Sequence, residues 1–110
     1  MLRIFRTEAF VSDVEHQIAW YLDETDLDEI FAAELALRFA AAVEETLEFL
    51  ARTPGAGRPR AARFSDLTGY RGFNVFKPFG RFRIYYRVLA QELHAERLLE
   101  GHRLAASDER

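Results

Sequence analysis

Apolar and polar residues alternate without a break from Arg81 to Val88. Phe82, Ile84, Tyr86 and Val88 form one set, and Arg81, Arg83, Tyr85 and Arg87 the other. Successive side chains of a β-strand point to opposite faces, so one face of this strand is core and the other carries three guanidiniums and a phenol. Upstream the period changes. From Phe10 the apolar residues recur at Val11, Val14, Ile18, Tyr21 and Leu22, an arc of about 120° that predicts an amphipathic helix. Thr7 is its expected N-cap, with Glu8 in the first turn, and Leu2–Phe5 before it reads as a short strand. A second stripe, Phe31, Leu35, Phe39, Ala42, Val43, Thr46, Leu47 and Leu50, predicts a longer helix. It opens at Asp26-Leu27-Asp28-Glu29, where Asp26 and Glu29 have capping-box spacing. It closes near Thr53, because Pro54 and Gly55 follow. Only a few residues separate the two patterns, which predicts an antiparallel helical hairpin.

Pro54-Gly55-Ala56-Gly57-Arg58-Pro59-Arg60 is a loop by composition, and it continues to about Gly69. It carries Arg58, Arg60 and Arg63, and its Gly-Ala-Gly lacks the strand-to-helix turn and lysine of a phosphate-cradling loop. Tyr70–Phe76 is a further strand. Lys77-Pro78-Phe79-Gly80 supplies a turn into the arginine-faced strand. A weaker turn at Ala90-Gln91 leads to a last strand, Leu93–Leu99, before Gly101. The order is β-α-α-β-β-β, an α+β domain over residues 1–103 with an antiparallel sheet packed against an α-helical hairpin. Residues 104–110 read as a polar tail.

Composition narrows the chemistry. Without cysteine there is no disulfide framework, thiolate nucleophile or zinc–cysteine site. No apolar run approaches the length of a membrane span, and no secretory leader is apparent, so a cytoplasmic protein is expected. The net charge of −3 hides an asymmetry. Residues 1–51 carry three basic and twelve acidic side chains, a balance of −9, whereas residues 52–103 carry eleven basic and four acidic ones, a balance of +7. Either the basic half docks on an anionic partner or the two halves neutralise each other in the fold. The same alternatives apply to Arg71, Arg81, Arg83, Arg87, Arg97 and Arg103: target or anion contacts, or salt bridges worth about 0–1 kcal/mol each. Trp20 lies off the first stripe, either capping the core rim or contacting a partner. Ile30, Leu37 and Ala41 form a minor apolar strip beside the second. His16, His94 and His102 lack metal-ligand spacing, so neither metal nor cofactor is expected. Glu44, Glu45 and Glu48 read as a solvated helix face.

Four stretches in this order resemble the RelE/ParE toxin superfamily of bacterial type II toxin–antitoxin systems. They are Phe39–Leu47, Leu50–Arg58, Phe82–Val88 and Arg97–Arg103. Pro54-Gly-x-Gly-Arg58 and Gly69-Tyr-Arg71 resemble the ParE branch in particular. ParE proteins typically end the last strand with Val-Leu-His-Gly and an arginine two residues on. Here Leu98-Leu99-Glu100-Gly101-His102-Arg103 stands in that place, with Glu100 for the histidine and Leu104 where an aspartate is usual. The resemblance implies a toxin that inhibits DNA gyrase rather than a hydrolase. It also implies a ParD-like antitoxin, for which Trp20, Ile30 and Leu37 are the candidate contacts. The alternative within the superfamily is a RelE-like ribosome-dependent mRNA endonuclease, in which Arg83 and Arg103 would be catalytic. The tyrosine such an enzyme carries shortly after Arg103 is missing from Leu104–Arg110. A third possibility is a diverged toxin fold with neither activity.

Overall fold

A computed structural model describes residues 1–59 and 69–100. Strand β1 (Arg3–Arg6) leads into helix α1 (Glu8–Asp23), and helix α2 (Glu29–Arg52) ends in a 3-10 turn at Pro54–Ala56. Strands β2 (Arg58–Pro59), β3 (Arg71–Asn74), β4 (Phe82–Leu89) and β5 (Glu92–Glu100) follow. The sheet order is β1-β5-β4-β3-β2. Strands β3, β4 and β5 form the expected antiparallel meander. The sheet as a whole is mixed, because β1 lies parallel to β5. The connection after β1 runs through the two helices, the kind of covering crossover a parallel neighbour requires.

The core lies between the helices and one face of β4 and β5. Phe39 on α2 is fully buried, its ring centroid 5.3 Å from Phe82, 5.5 Å from Phe79 and 5.6 Å from Tyr21. Val43, Leu47 and Leu50 continue that face against Ile84, Tyr86, Leu93 and Ala95. The alternation in β4 therefore holds for Phe82, Ile84 and Tyr86, but Val88 is exposed and Tyr85 is buried. Val88 and Leu89 run on towards a two-residue turn in which Ala90 and Gln91 have φ of 48° and 65°, the left-handed geometry of a tight hairpin. On the helices, Val11, Leu22 and Phe31 are exposed, and the first turns of α2 bury Ala32 and Ala36 instead. Small side chains set the inward side there, which a ranking by hydrophobicity alone overlooks. The cap of α2 is Asp28, whose carboxylate accepts from Phe31 N at 2.9 Å, not Asp26. Helical backbone begins only at Glu29, and an aspartate cap reaches the amide three residues on.

Strand β5 changes parity. Tyr85 is opposite Arg97 while Tyr86 is opposite Ala95, so Glu96 is an extra residue. This bulge lets Leu93 and Ala95, then Leu98, all face the core; an unbroken period would have turned Arg97 inward. Beyond Ala95 the strand has outrun β1, and α1 covers its open edge. The Thr7 hydroxyl donates to Glu96 O at 2.9 Å while accepting from Phe10 N as the helix cap. Asp13 Oδ2 accepts from Leu98 N at 2.9 Å and from Arg97 Nε at 2.7 Å, and Oδ1 accepts from Arg97 Nη2 at 3.0 Å.

Two buried hydroxyls fasten the other end of the sheet, as buried polar groups require. Thr46 donates to Ala42 O at 2.6 Å and accepts from Phe76 N at 3.1 Å. The Tyr86 hydroxyl donates to Pro54 O at 2.7 Å and accepts from Gly57 N at 2.9 Å. The segment read as loop from Pro54 thus begins as an ordered turn and a short strand, because Tyr86 supplies partners that no local pattern reveals.

Two outcomes follow from this architecture. Asp13→Ala leaves the Leu98 amide unpartnered and frees Arg97, so urea unfolding should show a loss of about 1–3 kcal/mol; a loss below about 0.5 kcal/mol would place the edge seal elsewhere. Burial pushes the Tyr86 phenol above its ordinary value, as it does Tyr21. The folded chain then keeps protons that the unfolded chain loses near pH 10. The associated stability is intact below that pH and is lost as pH rises through and beyond it. Thermal melts over this range should show a decline that is shallower in Tyr86→Phe.

Candidate functional site

Residues opposite one another in an antiparallel pair share a face. Arg58 is opposite Gly72, Gly72 opposite Tyr85, and Asn74 opposite Arg83. Since Ile84 and Tyr86 face the helices, these residues lie on the sheet face turned away from them. Gly72 makes the arrangement possible. A Cβ there would stand 3.0 Å from Arg83 Cδ and 3.3 Å from Tyr85 Cε1, so the missing side chain leaves the space in which the arginine stem and tyrosine ring lie.

The arginines separate into two groups by partner. Arg81 pairs with Glu100 at 2.9 Å, and Arg87 pairs with Glu96 at 3.3 Å while lying 4.9 Å over the Tyr70 ring. Arg97 is held by Asp13 in the two-point pair described above, and that carboxylate raises its pKa above the usual guanidinium value. Arg3 pairs with Glu92 at 3.8 Å, and Arg6 with Glu44. Arg71 and Arg83 have only neutral acceptors among the described residues. Arg71 Nη1 donates to Gly57 O at 2.8 Å, and Arg83 Nε donates to Asn74 Oδ1 at 3.0 Å. Arg58 is exposed on β2 and has no carboxylate partner among the described residues. Carbonyl and amide oxygens orient a guanidinium without cancelling its charge. Arg58 and Arg83 therefore flank Gly72 on the face turned away from the helices, a pair suited to an anionic group, whereas Arg71, the register partner of Tyr86, leaves β3 on the helix side.

The fold thus leaves the sequence candidates Arg71 and Arg83 on neutral acceptors at opposite faces of the sheet, and holds Arg81, Arg87 and Arg97 in ion pairs. Arg103 lies outside the described residues. Arg58 was not among the candidates, although it ends the Pro-Gly-x-Gly-Arg stretch. The signal that could have found it is its pairing with Gly72, which is a long-range fact. Among the described residues Arg83 touches an amide and no acid or base. His94 sits two strands from β3, 3.3 Å from Glu92 and with its ring 4.9 Å from Phe5. No group of three metal-ligating side chains occurs among the described residues.

The apolar candidates lie on the helix layer. Trp20 is 48% exposed, Ile30 82% and Leu37 72%. Trp20 lines a cleft of about 450 Å³ together with Gln17, Tyr21, Arg81, Phe82 and Glu100. Ile30 and Leu37 stand two turns apart on α2, in a helix that also exposes Glu34, Glu44 and Glu45. Phe31, assigned to the core stripe, is 52% exposed and joins this surface. No helix among the described residues is long and apolar enough to cross a membrane.

Comparison with known proteins agrees with this architecture. A family profile described as "ParE toxin of type II toxin-antitoxin system, parDE" matches residues 4–104. The chromosomal ParDE toxin–antitoxin system from P. aeruginosa contains a similar fold, with a TM-score of 0.68 at 20% identity, covering 91% of this chain and 96% of that one. The crystal structure of YafQ from E. coli strain BL21(DE3) is also similar, with a TM-score of 0.52 at 15% identity, covering 94% of this chain and 98% of that one. At these identities the two structures establish the shared fold alone. No curated protein sequence is significantly similar to the chain. The profile match spans nearly the whole of the two-layer domain, including the strands that carry Arg58, Arg71 and Arg83, and the chain accordingly belongs to the ParE toxin family of type II toxin–antitoxin systems.

Proposed function

We propose that this chain is a cytoplasmic toxin that inhibits DNA gyrase and is restrained by a ParD-like antitoxin. The observation that carries the reading is the pair of arginines beside Gly72, Arg58 and Arg83, with no acid or base touching Arg83 among the described residues. General acid–base help is worth roughly 10²–10⁴-fold in an RNA-cleaving step. Arginines that meet only carbonyl and amide oxygens can grip an anionic or acidic surface but cannot activate a hydroxyl. Binding and inhibition suit this face better than catalysis. Family membership supplies the antitoxin, and gyrase is the target that the ParE-like motifs imply.

The helix layer supplies a surface for the restraining partner. Trp20, Ile30 and Leu37 are large apolar side chains left in water on the layer opposite Arg83, and exposed apolar area of this kind marks interaction sites. Acidic side chains at Glu34 and Glu45 give the α2 surface a sign that would favour a basic segment.

Purified protein should inhibit gyrase supercoiling, and Arg83→Ala should weaken that inhibition by about 10–100-fold, the range for losing a hydrogen bond to a charged group. Cleavage of message in a translating extract, with supercoiling untouched, would move the protein to the RelE-like branch. For the antitoxin surface, Trp20→Ala and Leu37→Ala should each weaken binding of the cognate antitoxin by at least about 2 kcal/mol, roughly 30-fold. Titration calorimetry giving parental affinity for both variants would remove these residues from the interface.

A further inference from the structure

The Pro54-Gly-Ala-Gly-Arg58 stretch contains a glycine whose presence the backbone does not explain. Gly57 has φ −73° and ψ 150°, extended geometry open to any residue. Space explains it. A Cβ on Gly57 would lie 2.6 Å from the Tyr86 hydroxyl oxygen, 2.7 Å from Cε1 and 3.0 Å from Cζ. Gly55, two residues earlier, would meet nothing within 4 Å. Gly57 is therefore a contact glycine, shaped for one phenol.

That phenol grips the turn at two points, donating to Pro54 O at 2.7 Å and accepting from Gly57 N at 2.9 Å. The carbonyl of the same glycine accepts from Arg71 Nη1 at 2.8 Å. Arg71 is also the register partner of Tyr86 across β3 and β4. One glycine is thus held by its N–H from the tyrosine and by its C=O from the arginine, while the two side chains leave paired positions of adjacent strands. The next residue is Arg58, whose pairing with Gly72 starts from this anchored peptide.

We propose that Tyr86 and Gly57 are the positioning pair of the toxin's target-contacting edge: the Tyr86 hydroxyl sets the Gly57 peptide, and the Gly57 carbonyl aims the Arg71 guanidinium. The inference rests on the proposed reading of the arginines as target contacts, here of Arg71 on the helix-facing side of the β2–β3 edge. Tyr86 itself is fully buried and touches no target; it acts through Arg71. A purely structural phenol would contribute stability and nothing to the direction of Arg71.

A mutant cycle on the full chain separates the two roles. The variants are Tyr86→Phe, Arg71→Ala, their combination and Arg71→Lys. The readouts are growth arrest under graded induction, gyrase supercoiling, antitoxin affinity as the check of fold, and the Arg71 side-chain NMR resonances. Tyr86→Phe should lower toxic potency about tenfold or more, the scale on which a displacement near 1 Å acts, while antitoxin affinity stays within about threefold. In the Arg71→Ala background the same change should add less than about twofold, because coupled sites do not add. Losses that multiply independently, or full potency in Tyr86→Phe or in Arg71→Ala, overturn the proposal. Should Tyr86→Phe fail the fold check, Arg71→Lys decides, since it leaves the phenol and Gly57 in place. It keeps the charge but not the fork, so potency as low as in Arg71→Ala supports aiming and parental potency refutes it. If the parent neither arrests growth nor inhibits gyrase, the functional reading falls on its own. The positioning claim is then judged by slow rotation of the Arg71 guanidinium in the parent and its averaging in Tyr86→Phe; slow rotation in both, or in neither, refutes it.

Discussion

The register of β4 against β5 governs everything built on this sheet. Phe82, Ile84 and Tyr86 must meet Phe39, Val43, Leu47 and Leu50, and a slip of one residue would exchange the core face for the arginine face. Burial of these side chains makes such a slip costly, at about 1.5–3 kcal/mol for each large apolar group exposed. The bulge at Glu96 keeps both strands in phase with the helices. It also presents Arg97 to Asp13 and the Leu98 amide to the same carboxylate. A single inserted residue therefore reconciles the packing of the core with the sealing of an open sheet edge.

Electrostatics divides the sheet in a way net charge conceals. The acidic and basic halves of the chain do not simply cancel each other. Among the described residues only Arg97 reaches from the basic half to an acid of the other, Asp13, while Arg81 and Arg87 use Glu100 and Glu96 of their own half. The acids of α2 remain on an exposed helix face, apart from Glu44, which meets Arg6. Neutralisation is concentrated on the β5 side, whereas Arg58, Arg71 and Arg83 on β2, β3 and β4 have no carboxylate partner among the described residues. Each is oriented by backbone pairing or by a neutral oxygen, which costs less than burying a charge and leaves the guanidinium available.

The two-layer arrangement also keeps the two candidate surfaces apart. Trp20, Ile30 and Leu37 stand on the helix layer and Arg58 and Arg83 on the far side of the sheet. A segment seated on α2 would not by itself cover those arginines. An antitoxin that blocked them directly would need a second segment reaching around the domain. One that bound the helices alone would have to restrain the toxin by another route.

Local pattern was enough for the helices and the longer strands. The period of 3.6 over Phe10–Tyr21 and Leu35–Leu50, the period of 2 over Phe82–Tyr86, and Thr7 at a helix start each follow from neighbours a few residues apart, so they were legible in order. The α+β class and the resemblance to ParE followed from the same stretches. What escaped depended on residues brought together from far along the chain. Phe31 has core hydrophobicity but lies where Ala32 and Ala36 are turned inward. Glu96 is a bulge only because Tyr85 and Tyr86 demand it across the strand pair. Pro54–Arg58 reads as loop until the Tyr86 hydroxyl, 29 residues beyond Gly57, supplies its hydrogen bonds. The arginine set could be listed from the sequence but not sorted, because a guanidinium's remaining charge depends on which oxygen it meets. The sequence by itself determined the two helices, strands β1, β3, β4 and β5 and most of the apolar side of each, since those are local periodicities. Only the tertiary structure decided which cations were neutralised and which stayed free, because ion pairing is set by distance in space and not by separation along the chain.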